Sequence, residues 1–585
     1  MQFTFIIGLL SGCLAQIQVI GQATNYEGRL LDDENSQAIP YVLIENISQK
    51  TGALSNTDGY FQVKAVVGDS LQCLAMGYQL MRWTVDSVDK YKVLRLVPTS
   101  VELNEVTVLA KDMGYLADII AQARKVFKAD PRTAKAYFDL KTYYGDQQIE
   151  LLEAYSNAKQ FGPSIESIRY KTGRVALKKF EDRVFASVES SKAIVQINAF
   201  EGHEDFPNTP MEMSAKKMRS TFVFRVQRQF KDEKGDSILV IGYRPRVDDG
   251  KSCKGRIWLN TTNHTFLKWT MEVENAQEYP FIPLFPTDRV ENFYLNITQT
   301  FEQKSGLSAI KQVDFVYAMD YYSGNGREEF VRYPIRTRAL LYLYDRQDGG
   351  FQLSFYPPLY EDYTDYRKMS SIPYNATFWE HHNEYALSDS LKWNAYFFND
   401  TADITSHNLF KGQPFHGRRF YQNNFVEWSP KRVLISDVAE DSIARNAIIG
   451  TRSTMYDIAV HVYFDVFNYT DSMQVSSVVM MDPFRTYYYL ERDAASDCFI
   501  NMYFDLCEVL RRQWLRKMHE HSTNEKQYRE AFVLFELERL RFLDTFKKDV
   551  QRGQNESAMR RYNEIILEEL QINNIEIFQL FQNKQ

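Results

Sequence analysis

Gly255-Arg256-Ile257-Trp258-Leu259-Asn260, followed after a short turn by Thr265-Phe266-Leu267-Lys268-Trp269, is the stretch on which the fold of this chain turns. Branched and aromatic side chains fit a pleated, half-buried surface, so the two runs predict strands over Ile257–Asn260 and Phe266–Val273. Working outward, the same texture recurs at Tyr137–Tyr144, Val184–Ile197, Thr221–Phe230, Ile238–Tyr243, Phe293–Phe301, Ile310–Tyr321 and Ala339–Tyr344. Asp232-Glu233-Lys234-Gly235-Asp236 and Gly324-Asn325-Gly326 read as hairpin turns between them. Just upstream, Leu116, Ile119, Ile120, Ala123 and Val126 recur at helical spacing, and Asp130-Pro131 ends that short helix.

Composition agrees with a β-rich protein. Of 585 residues, 44% are hydrophobic and 25% charged, as in a folded soluble chain, while 37 Tyr and 40 Phe favour strands. The length suggests three or four domains at about 100–200 residues each. A net charge of -7 provides no general basic field, so no nucleic-acid partner is expected. Cys13, Cys73, Cys253, Cys498 and Cys507 are scattered, with no disulfide framework and no C-x-x-C pair, and read as small apolar side chains.

Near the N-terminus, turns recur about every eight to twelve residues between apolar alternations, the pattern of a small antiparallel sandwich. Gly28-Arg29-Leu30-Leu31-Asp32 is followed by Ala38-Ile39-Pro40-Tyr41-Val42-Leu43-Ile44, by Thr57-Asp58-Gly59-Tyr60-Phe61 and by Gly68-Asp69-Ser70-Leu71. In the third motif Asp58 is expected to cap its own backbone and Gly59 to take positive φ. Val101-Glu102-Leu103-Asn104-Glu105-Val106-Thr107-Val108 closes the series. In this order the motifs of 24–108 resemble the carboxypeptidase regulatory-like domains of Bacteroidetes envelope proteins. That resemblance implies a transthyretin-like sandwich that is not itself catalytic. The closing segment resembles the lead into the plug of TonB-dependent transporters, but no plug or long barrel follows.

The cadence of Gly255–Asn260 and Thr265–Trp269, with Leu152-Glu153-Ala154-Tyr155, also resembles the lipoprotein-carrier half-barrel. There a curved antiparallel sheet cups an apolar ligand. The C-terminal region departs from related envelope proteins that end in an outer-membrane barrel, because it is not strand-rich. A curved sheet with a filled core is the alternative to a ligand-binding cup.

One motif carries possible metal chemistry. His381 and Glu384 in Phe378-Trp379-Glu380-His381-His382-Asn383-Glu384 match the H-x-x-E pair that zinc carboxypeptidases use as two ligands. The regulatory-like module precedes the pair instead of following a catalytic domain, and His519, the histidine at a suitable distance, falls in a charged helical run. No general-base glutamate on a later strand is evident. His407, His416 and His461 are isolated, and G-x-S-x-G, Walker and H-E-x-x-H signatures are missing. The expectation is therefore no catalytic residue, no cofactor and no metal, with a zinc hydrolase using His381 and Glu384 as the rival.

Beyond Asp493 the period changes to three and four, through Phe499, Met502, Tyr503, Leu506, Val509, Leu510 and Leu515, then Phe532, Phe535, Leu537, Leu540, Leu543, Phe546 and Val550. Gly553 interrupts, and Ile565, Ile566, Leu570, Ile577 and Leu580 form a third run. A helical bundle packed on the rest is expected in preference to an exposed coiled-coil dimer, with Arg511, Arg512, Glu536 and Arg539 on a solvated face. At the other end, the apolar run from Phe3 with Gly21-Gln22-Ala23 reads as a signal peptide. Leu10-Ser11-Gly12-Cys13 offers an alternative, lipid-anchored cut at Cys13. No later stretch reaches the roughly 18–20 apolar residues of a membrane helix.

The boundaries read as 1–23 signal peptide, 24–98 regulatory-like β-sandwich, 99–131 linker and short helix, 132–350 antiparallel β-rich domain, 351–490 mixed α/β region and 491–585 helical region. The fold class is multidomain and mainly β, with an N-terminal sandwich, a central curved antiparallel sheet and C-terminal amphipathic helices. The function expected is that of a non-enzymatic exported envelope protein, in the periplasm or at the outer membrane, binding a protein, glycan or lipid. An apolar-ligand carrier built on the central sheet is the third reading.

Overall fold

The strand-forming runs pair into antiparallel ladders, described by a computed structural model over 24–99, 113–354, 364–382, 425–438 and 456–581. Pairs 413–414 and 422–423 and residue 385 are described as well, and short stretches inside these ranges are left out, the longest being 87–90, 185–188, 325–329 and 345–349. The chain divides into two units, residues 1–100 with 383–388, and the remainder.

The first unit has seven strands: β1 (Thr24–Asp32), β2 (Leu43–Asn46), β3 (Thr51–Leu54), β4 (Tyr60–Ala65), β5 (Ser70–Leu74), β6 (Met81–Thr84) and β7 (Lys92–Leu96). They form two sheets, ordered β4-β1-β7 and β3-β2-β5-β6. Tyr26, Leu30, Phe61 and Val63 of one sheet share a core with Ile44, Ala53, Leu71 and Cys73 of the other, as expected for a small sandwich. Gly59 does take φ +75°, and a Cβ there would stand 2.4 Å from the Leu30 carbonyl oxygen. The cap differs from expectation. It is Asn56, not Asp58, whose Oδ1 accepts the N–H groups of Asp58 and Tyr60, because its amide oxygen sits inside the turn.

The second unit is organised by one curved sheet. Helix α1 (Leu116–Val126) leads into β8 (Arg132–Tyr144), β9 (Gln147–Phe161) and β10 (Ser164–Leu177). After helices α2 (Ser190–Gln196) and α3 (Ala215–Thr221) come β11 (Phe222–Lys231), β12 (Ser237–Pro245), β13 (Lys254–Asn260), β14 (Thr265–Val273), β15 (Arg289–Lys304), β16 (Leu307–Ser323) and β17 (Val331–Tyr344). The order is β11-β12-β13-β14-β15-β16-β17-β8-β9-β10, with two two-residue strands, at 422–423 and 413–414, added beyond β10. All ladders between these long strands are antiparallel, and β17 returns to pair with β8, Ile335 opposite Tyr144. Register shifts at Tyr170/Thr172, Val226/Arg228, Trp258/Leu259 and Thr300/Phe301 mark bulges, which bend and twist a sheet.

The opening hairpin shows how side-chain size sets this packing. Gly255 has no Cβ, so the Tyr243 hydroxyl reaches across it and donates to the Thr270 carbonyl at 2.7 Å. A Cβ at Gly255 would lie 1.9 Å from that oxygen and 2.7 Å from the hydroxyl.

The cup of the sheet is filled by the chain itself. Leu116, Ala117, Ile120 and Ala123 of α1, Ala193 and Ile194 of α2, and Phe206, Met211, Met213 and Met218 join one core with Phe224, Ile241, Ile257, Trp269 and Ile297 of the strands. The strand expected over Val184–Ile197 is corrected here. Ser190–Gln196 is helical, because Ala193, Ile194 and Ile197 repeat at three and four and Asp365, remote in sequence, accepts the Ser191 N–H at 2.9 Å in the first turn.

Farther on, β18 (Val460–Tyr469) and β19 (Ser472–Met481) form a hairpin against α6 (Ala494–His521), α7 (Glu525–Val550) and α8 (Glu556–Leu570). Phe464 stacks on Phe532 at 4.6 Å, and Trp514 on Phe535 at 4.9 Å. Asn524 and Asn555 cap α7 and α8, and Gly553, at φ +91°, makes the break between them. Arg539 does not lie on a solvated face. It is 2% exposed, ion-paired with Glu536, and donates to the Val460 carbonyl, so the strand edge holds it in the interior.

Gly255→Val is expected to separate Tyr243 from Thr270 and to lower unfolding free energy by about 1–3 kcal/mol. A shifted urea midpoint checks this, and an unchanged midpoint contradicts it.

Candidate binding face of the curved sheet

Alternation along β11–β15 sends one set of side chains into the core and the other to the opposite face. Phe224, Ile241, Ile257, Trp269 and Ile297 belong to the core set. Arg225, Arg244, Lys254, Arg256, Lys268, Thr270, Glu272, Asn296 and Thr298 line an open groove of about 810 Å³ on the other face. Five cations thus face one carboxylate along the wall of a chain whose overall charge is -7.

At one end of the groove Phe230, Ile238 and Val240 pack with Trp258 and Leu267, and the Lys268 ammonium lies 5.0 Å from the Trp258 ring centre. Burial lowers the Lys268 pKa; Asp314 opposes that shift and Arg256 adds to it. At the other end Lys254 is engaged by Glu274 at 2.9 Å and Glu272 at 3.7 Å. Arg244 and Arg256 are exposed, and among the described residues their guanidinium groups have no ion-pair or hydrogen-bond partner. The Thr270 hydroxyl accepts the Arg256 backbone N–H at 3.0 Å, while Asn296 reaches Tyr294 at 3.4 Å. The arrangement offers two free guanidinium forks above a floor of hydroxyl and amide groups. It can hold an anion and hydrogen-bond a polyhydroxylated neighbour; it contains no nucleophile and base pair.

Among the described residues, the C-terminal part of the unit packs on the same face over β9 and β10. Helices α4 (Asp365–Ser370) and α5 (Ala376–His381) flank β10, with Met369 against Gly173 on the core side and Trp379 on the other. The Trp379 indole donates to Thr172 at 3.2 Å, and the Arg174 guanidinium lies 3.9 Å from that ring while bonding Glu153 at 2.8 Å. Glu153 also accepts the Tyr137 hydroxyl at 2.8 Å. Beside them Lys171 and Asp465 form a fully buried ion pair, and Asn375 donates to the second Asp465 oxygen at 2.8 Å. Burial pushes the Lys171 ammonium down and the Asp465 carboxyl up, so each depends on the other to stay charged.

The inner face leaves little room. A cavity of about 20 Å³, the space of one water, lies among Ile197, His203, Phe206, Thr209, Glu212 and Trp269.

Of the residues expected to bind metal, His381 ends α5, with its Nδ1 donating to the Thr377 carbonyl at 2.7 Å and its ring 4.9 Å from that of Tyr469. Glu384 lies outside the described residues, as does Cys13 with the leader. His519 sits in α6 and shares a hydrogen bond with Tyr528. Among the described residues no group of three or more His, Cys, Asp or Glu side chains is gathered as for a metal ion. Cys73, Cys253, Cys498 and Cys507 are buried free thiols, each pushed up to about 11 or 12 by burial, which makes them poor nucleophiles. The groove residues were not singled out from the sequence, although Arg225, Arg244, Arg256 and Lys268 stand among apolar residues of the strand runs.

No family model matches the chain, and no curated protein matches it. Among solved structures it is similar to a putative outer membrane lipoprotein-sorting protein domain from Vibrio parahaemolyticus, at 13% identity over 39% of this chain and 92% of that one, with a TM-score of 0.17. It is similar to the LolA superfamily protein NE2245 from Nitrosomonas europaea, at 10% identity over 41% and 94%, with a TM-score of 0.16. It is also similar to a chain of the Pseudomonas aeruginosa MucA/MucB complex, at 9% identity over 39% and 93%, with a TM-score of 0.14. The resemblance to carrier-like domains is weak and lies in the middle region. No helix of the described residues is long and apolar enough to cross a membrane.

Lys171→Met leaves Asp465 buried without its ammonium partner and is expected to cost about 3–5 kcal/mol, whereas Lys171→Met with Asp465→Leu loses much less. Denaturant unfolding of the two variants checks the difference.

Proposed function

We propose that this chain is a non-enzymatic, exported cell-envelope protein that binds an acidic glycan in the groove over β11–β15. The observation that carries this reading is the pair of unpartnered guanidinium groups, Arg244 and Arg256, above Thr270, Asn296 and Thr298 and beside Trp258. Guanidinium forks match carboxylate and phosphate groups, hydroxyl and amide side chains suit sugar hydroxyls, and an indole offers a flat apolar surface to a sugar ring. The floor is polar and open, which suits an extended saccharide better than an acyl chain. The apolar leader ending at Gly21-Gln22-Ala23 supports export. The motifs of 24–108, together with the seven-strand sandwich, support an adaptor role for the first unit.

Titration calorimetry with oligogalacturonate and with a neutral galactan of equal length tests the proposal. The acidic oligomer is expected to bind, more weakly as salt is raised, and the neutral one not. Arg244→Glu with Arg256→Glu should weaken binding by at least about tenfold. Failure of the unmodified protein to prefer the acidic oligomer, or equal affinity in the double variant, overturns it.

A further inference from the structure

Helix α7 buries one face and leaves the other bare. Tyr528, Phe532, Phe535, Arg539, Leu543, Phe546 and Val550 point inward. On the far side Val533, Leu534, Leu537 and Leu540 are 49%, 63%, 50% and 52% exposed, so Leu537 and Leu540, expected in the buried run, lie opposite it. At about 100° per residue these four lie within roughly 60° of Leu537, so they form one continuous apolar stripe. The stripe has an ordered charged frame. Lys526 and Glu530 precede it, Arg541 and Asp544 follow it, and all four charged residues are exposed. At about 100° per residue Lys526, Glu530, Arg541 and Asp544 all lie within roughly 40° of Leu537, so they continue the line of the stripe at its two ends. Their recorded pairings are surface contacts within the helix, Lys526 with Glu530 at 3.8 Å and Asp544 with Lys548 at 2.6 Å, which hold little energy and exchange readily.

This pattern is complementary to itself under one operation. If a second α7 is laid antiparallel across a twofold axis midway between Leu534 and Leu537, Leu534 faces Leu537 of the other copy. Glu530 then faces Arg541, a pairing that occurs twice, while Lys526 falls opposite Thr545. A twofold axis centred on Leu537 instead sets Glu530 against Asp544 and Lys526 against Lys548, so charge disfavours that register. We propose that the chain forms a homodimer through α7, its two copies packed antiparallel about this axis. The contact is isologous and closed, and it removes eight large apolar side chains from water. It is independent of the groove.

Sedimentation velocity of the full chain over a range of concentrations reads the association. The unmodified protein is expected to show a reversible monomer–dimer equilibrium. Leu534→Glu with Leu537→Glu should be monomeric with an unchanged thermal melt of secondary structure, since neither side chain enters the core. Glu530→Arg places like charges together twice and should weaken the dimer at least about tenfold, while Glu530→Arg with Arg541→Glu restores it. A monomer at every concentration overturns the proposal, as does a dimer indifferent to the leucine substitutions. Failure of the charge exchange to rescue assembly overturns the antiparallel register.

Discussion

A ten-stranded sheet has two faces, and every strand in it must bury or solvate both. Here that constraint is met differently along its length. The inner face packs against α1, α2, α4 and the methionine-rich segment before α3. The outer face is packed over β9 and β10 by α5 and the β18–β19 hairpin and is left polar over β11–β15.

The cover is held by charge as well as by apolar contact. Arg174 is clamped between Glu153 and Trp379, and Lys171 meets Asp465 in the interior. Buried ion pairs contribute less net stability than hydrophobic replacements, but a lone buried charge is severely penalised. Such pairs favour one docking geometry, because sliding α5 or β18 along the sheet would strand a charge without its partner. The edge strand β11, where the Met113 N–H donates to the Phe224 carbonyl at 3.0 Å, is treated in the opposite manner. Arg225, Arg228 and Lys231 and a bulge between Val226 and Arg228 make it a poor template for further strand pairing.

Much of this was legible in the residues. Period-two runs located most of the long strands, though not β9 and β10, and the three-and-four spacing beyond Asp493 located the C-terminal helices, because both patterns report a single buried face. The seven-strand sandwich was legible from its turns. Two readings failed for reasons a linear pattern does not carry. Ser190–Gln196 is helical with its first turn bonded to Asp365, and Arg539 is interior because the end of a remote strand offers it a carbonyl. The groove escaped notice because a cation in a strand looks the same whether its face is later covered or left open.

By itself, then, the sequence determined the type of most elements and the alternation of most strands, since these depend on neighbours close along the chain. Tertiary structure alone decided that the cup is filled and that Arg244 and Arg256 face solvent while Arg174 and Lys171 do not. The physical reason is that burial belongs to a face and not to a residue. Whether a face is covered depends on segments hundreds of positions away, such as Asp465 for Lys171, whose pairing leaves no local trace.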